Sequence, residues 1–125
     1  MAKKLVCNAL NTSDYDVIEG MSCIDYWCKT HNQSNAEICR ACGKRAKDDD
    51  EIIGAHVMSL NETPRHVYVV PMHRSCNSRQ AGLGSFEVDE FNLSIVPANQ
   101  EKKILNDPEN VNLRADLLAE NILLE

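Results

Sequence analysis

Residues 39–42 read Cys39-Arg40-Ala41-Cys42, and residues 73–76 read His73-Arg74-Ser75-Cys76. A structural zinc site takes four soft or borderline donors at about 2.0–2.3 Å in a tetrahedron, and two short-spaced ligand pairs let each of two turns supply half of it. Gly43 follows the first pair directly, as a tight metal-centred turn requires. The second pair falls where an apolar run hands over to a polar one. Cys39, Cys42, His73 and Cys76 are therefore candidate ligands of one structural Zn²⁺. The competing reading is that the three thiols of the two pairs serve as small core residues, since unoxidised cysteine is often buried. A redox role for Cys39-x-x-Cys42 lacks the βαβ surroundings that such motifs have.

Outward from these pairs the chain alternates between β-rich and helical texture. Ile52–Val57 and His66–Val70 are short β-rich runs separated by the turn-forming Asn61-Glu62-Thr63-Pro64, which predicts an antiparallel hairpin. Pro71 closes the second run, and His73 through Arg79 reads as a short helix ending before Gly82 and Gly84. Phe86–Val96 alternates imperfectly up to Pro97, as one strand or a pair of short strands does. Asp107-Pro108 starts a helix running towards Glu125, with Val111, Leu113, Leu117, Leu118, Ile122 and Leu123 as its apolar stripe. Before the cysteine pair, Val17, Ile18, Met21, Ile24, Tyr26, Trp27 and Cys28 recur at roughly helical intervals, predicting a helix over Ser13–Lys29 in spite of Gly20. The expected fold class is α+β: a small zinc-stabilised ββα core with flanking N-terminal and C-terminal helices. Residues 1–125 read as one domain, with a helical segment at 1–37, the zinc-binding core at 38–80, a strand and loop extension at 81–105 and the amphipathic helix at 106–125.

Composition agrees with that size. The 125 residues are 43% hydrophobic and 26% charged, ordinary for a soluble domain. No apolar run approaches the roughly 20 residues of a membrane span, and the first residues lack the apolar stretch of a secretory signal, so the expectation is a cytoplasmic protein with no membrane partner. In that compartment six cysteines favour metal ligation over disulfides. Cys7, Cys23, Cys28 and His31 contain one pair of usable spacing, Cys28-x-x-His31. Cys23 and Cys28 do not share a helical face well, and the reading prefers thiols without a second metal.

Taken together, Cys39-x-x-Cys42, Gly54-Ala55-His56-Val57 and Tyr68-Val69-Val70-Pro71-Met72-His73-Arg74-Ser75-Cys76-Asn77 resemble the zinc-bound subset of HNH nucleases, the ββα-metal or His-Me finger fold, over about residues 38–80. The resemblance implies that His56 is the general base that activates water. It implies that Asn77 is a ligand of a catalytic Mg²⁺ or Mn²⁺. At the position before the base the family carries a metal-binding Asp or His, whereas this chain has Ala55, whose methyl group offers a hard cation no lone pair. Two functional expectations follow. The first is a non-catalytic HNH-like scaffold that binds a protein or nucleoprotein partner. The alternative is a divalent-metal-dependent endonuclease using His56 and Asn77.

The surface reading bears on both. A net charge of −6 disfavours loose attraction to phosphate backbones, and 5% aromatic residues give little stacking surface for single-stranded bases. Lys44, Arg45, Lys47, Arg65, Arg74 and Arg79 suit either a phosphate-contacting rim, and so a nucleic-acid partner, or a solvated face screened by the adjoining Asp48-Asp49-Asp50-Glu51. That acidic run reads as an exposed loop. The leucine stripe of the C-terminal helix suits docking within the chain or zipping to a second copy, which would make a homo-oligomer.

Overall fold

The computed structural model describes residues 2–12, 20–34, 36–77 and 84–124, with the side chains of 121–124 left aside. It is a mixed α+β fold around one antiparallel sheet. The strands are β1 (Lys3–Asn8), β2 (Ile52–Ser59), β3 (Val67–His73), β4 (Ser85–Asp89) and β5 (Ser94–Ile95), in the order β4-β1-β2-β3-β5. The helices are α1 (Cys23–Thr30), α2 (Ala98–Asn106) and α3 (Pro108–Leu124). Residues 74–77 are also helical, directly after β3, and Glu90–Asn92 make a 3₁₀ turn. No helix among the described residues is long and apolar enough to cross a membrane.

The β2–β3 hairpin has the expected antiparallel pairing, with Ala55 opposite Val70 and His56 opposite Val69. Successive side chains on a strand point to opposite faces, and this alternation sorts the core into two apolar clusters. On one face Cys7, Met58, Val67 and Val69 pack under Trp27 and Cys28 of α1, Ile104 of α2 and Leu117 of α3. On the other, Val6, Ala55, Val57, Val70, Met72 and Val88 pack with Cys39 and Cys76. We call these the helix face and the knuckle face. With both faces covered, all seven residues of β3 are buried.

Three expectations need correction or fall outside the described residues. The segment read as N-terminal helix opens with a strand, since β1 inserts between β2 and β4 and pairs with both. Its helical part is α1, which starts at Cys23 where Ser22 caps it by accepting the Asp25 N–H; residues 13–19 of the predicted helix lie outside the described residues. The stretch read as strand and loop up to residue 105 contains α2, a full helix. Of the one strand or pair of short strands expected over Phe86–Val96, the pair is present, as β4 and β5.

Candidate metal centre and the adjoining cavity

The chain turns sharply at Cys39–Gly43. The Gly43 N–H donates to the Cys39 carbonyl at 2.8 Å, and the Cys39 N–H to the Lys44 carbonyl at 2.9 Å. Gly43 sits at φ +78°, in the left-handed region that a side chain resists. This knuckle is fastened to the sheet by the Arg40 N–H, which donates to the Pro71 carbonyl at 2.9 Å. His73 ends β3 and Cys76 lies on the helical turn after it, so the two ligand pairs meet at one corner of the knuckle face.

There the donor atoms of Cys39, Cys42, His73 and Cys76 all lie within 4.8 Å of one another. Cys39, His73 and Cys76 are buried. His73 Nδ1 is 3.3 Å from Cys42 Sγ and 3.8 Å from Cys76 Sγ, while its Nε2 lies 2.7 Å from the Arg45 carbonyl oxygen. A carbonyl only accepts, so Nε2 carries the proton and Nδ1 turns its lone pair to the three sulfurs. Metal-bound histidines are held in this way by a carbonyl behind the ring. Three sulfurs with one imidazole nitrogen, closed to a fourth-position water, fit a borderline-soft tetrahedral ion in a structural role.

Electrostatics point the same way. Burial pushes the Cys42 thiol up, but the bonds it receives from the Lys44 backbone, Cys39, His73 and Cys76 together bring it down to about 7. Burial and then the neighbouring sulfurs of Cys39 and Cys42 push Cys76 up to about 11. Cys42 is thus drawn towards the thiolate while its neighbour Cys76 is held back from it, and a bound dication removes that conflict by stabilising both thiolates.

The other predicted site residues gather beside this centre. His56, Asn77, Arg74, Cys23 and Gly54 line a cavity of about 480 Å³ where β1 has parted from β2. His56 is 6% exposed, on the helix face, with Nε2 3.9 Å from Cys23 Sγ. Burial pushes its imidazole below the ordinary histidine value, against a smaller opposing effect from Gln100. Ala55 borders the cavity, but its methyl belongs to the knuckle-face cluster. The Asn77 amide is held by Asn8, whose Nδ2 donates to Asn77 Oδ1 at 2.9 Å and to the Asn77 carbonyl. Arg74 is paired with Glu51. Asn8 was missed at the sequence level, and only its placement at the end of β1 reveals it.

The remaining candidates are dispersed. Cys7 and Cys28 belong to the helix-face cluster, whereas His31 stacks on Trp27 and its Nε2 meets the Phe91 carbonyl oxygen at 2.6 Å. Arg45 pairs with Glu37 on the surface, and Arg65 lies apart, lining a cavity with Glu62 and Arg114. Asp50 is more than loop: its carboxylate accepts the Ser75 N–H at 3.0 Å and the Ser75 hydroxyl, holding the turn that carries Cys76. Arg79 lies outside the described residues. Leu113, Leu117 and Leu118 pack onto the helix-face cluster. Comparison of the chain with protein-family models, with curated proteins and with solved structures returns no match.

Proposed function

We propose that the protein is a zinc-stabilised, HNH-like scaffold that does not cleave nucleic acid and acts inside the cell by presenting its surface to a protein or nucleoprotein partner. Zinc is the ion that the three-cysteine, one-histidine donor set suits best. The observation that carries the non-catalytic reading is Ala55. It is 3% exposed and packed among Val57, Val70 and Met72 on the knuckle face, while His56 stands on the opposite face. Beside the candidate base, β2 therefore offers no donor to a hard cation. Asn77 alone, neutral and already bonded to Asn8, is a weak magnesium ligand.

One observation favours the endonuclease reading: His56, Asn77 and Arg74 line the same cavity. In that reading His56 takes the proton of the attacking water, Asn77 gives its carbonyl oxygen to Mg²⁺ or Mn²⁺, and Arg74 faces the phosphate. The two readings part in one experiment on protein of measured zinc content. Plasmid and single-stranded DNA and RNA are incubated with Mg²⁺, Mn²⁺ or EDTA, with His56→Ala in parallel. The expected outcome is one tightly held zinc per chain and no cleavage in any arm. Cleavage lost both in EDTA and in His56→Ala overturns the scaffold reading in favour of the nuclease.

A further inference from the structure

The cavity beside the metal centre holds a juxtaposition that neither reading uses. Cys23 is the first residue of α1 and His56 lies on β2, distant in sequence, yet Cys23 Sγ and His56 Nε2 stand 3.9 Å apart. Gly54 sets this approach. It shares the helix face with His56, and a Cβ built on it would sit 2.6 Å from the Cys23 carbonyl carbon, the Cys23 Cβ and the Ile24 nitrogen. The first turn of α1 can press so closely on β2 only because that atom is missing. Cys23 is half-buried and lines the cavity, so small molecules reach it, whereas Cys7 and Cys28 are buried in the core. The thiol also stands at a helix N-terminus, where the positive end of the helix dipole favours a developing thiolate.

We propose that Cys23 and His56 form a thiol–imidazole pair that makes Cys23 a site of covalent modification by small, soft carbon electrophiles entering this cavity. As Sγ attacks, a sulfur–carbon bond forms and the leaving group departs with its electron pair. The thiol proton passes to Nε2 of His56, which carries its own proton on Nδ1 before the step. Burial keeps the imidazole neutral at physiological pH, the form that can accept a proton. The assistance is therefore present above the lowered pKa of His56 and lost as pH falls through it. Among the described residues the charged groups around the pair are Asp25 in the first turn of α1, and Glu51 and Arg74 across the cavity, which are paired with each other. From α2, the uncharged Gln100 bonds to His56.

The test is alkylation of the full chain by iodoacetamide, with each cysteine read separately by peptide mass spectrometry between about pH 6 and pH 9.5. Wild type is compared with His56→Gln, and the fold of both is checked by circular dichroism. At about pH 7, His56→Gln is expected to slow Cys23 alkylation about tenfold, and the two proteins converge near pH 9.5, where the thiol ionises unaided. A change in access alone would slow both ends of the profile equally and overturns the proposal. So do rates within about twofold of each other throughout. Should His56→Gln not fold, the wild-type profile decides. Reactivity at Cys23 that persists below pH 7 supports the pair, and a rate that follows an ordinary thiol of pKa about 8.5 overturns it. Because the readout is alkylation and not cleavage, either outcome leaves the nuclease question to its own assay.

Discussion

Two residues without reactive side chains, Gly54 and Ala55, decide what the cavity holds. Gly54 admits α1, and Ala55 turns its methyl group into the knuckle-face cluster and offers the cavity no donor. Gly54→Ala must displace the peptide group that joins Cys23 to Ile24 together with the Cys23 Cβ, none of which is a flexible side-chain tip. It is expected to cost on the order of 1–3 kcal/mol, as overpacking of a tight core contact does, measured as a shift in urea midpoint; an unchanged midpoint would show that α1 floats free of β2. The sequence marked Gly54 only as a glycine inside a strand, which announces a close neighbour without saying which. By contrast, the four donors of the metal centre were legible because each pair is local, with donor chemistry and spacing carrying the signal. The Nε2 bond of His73 to the Arg45 carbonyl was not legible, since backbone carbonyls are the same at every position.

Among the elements, α2 and α3 depend on a side chain that no periodicity would single out. Asn110 is fully buried near the start of α3. Its Oδ1 accepts the Leu10 N–H at 2.7 Å, and its Nδ2 donates to the carbonyls of Leu10 at 3.1 Å and Ile104 at 3.0 Å. One amide thus ties the chain leaving β1, the end of α2 and the beginning of α3. Asn110→Ala leaves buried backbone groups without partners and is expected to destabilise the protein by about 2–3 kcal/mol, seen as a lowered melting temperature. No change would mean that water replaces the amide. The β2–β3 hairpin and α3 were readable because strand alternation, turn residues and an Asp-Pro start are written in consecutive residues. For β1 the decision is tertiary: Lys3-Lys4-Leu5-Val6-Cys7-Asn8 does not alternate, and becomes a strand only because two others flank it. Likewise α2 buries a single residue, Ile104, too faint a stripe to read in advance.

In the whole molecule the sheet separates two cores, and among the described residues the cysteines of the candidate metal centre belong to the knuckle-face core. Removing the metal is therefore expected to act unevenly. Chelation at neutral pH should lower the melting temperature and release amide exchange first around residues 38–47 and 70–77, with Val67, Val69 and α3 still protected. Uniform loss of protection would show instead that the two cores melt as one unit. The strand order has a kinetic consequence as well. β1 sits inside the sheet, yet both its partners lie far downstream, β2 beginning at Ile52 and β4 at Ser85. A chain growing from its N-terminus makes this interior strand long before either neighbour exists. β1 must wait, solvated, for Ile52–Ser59 before it pairs at all and for Ser85–Asp89 before both its edges are covered, so closure of the sheet is a late step governed by long-range contacts and slowed by them.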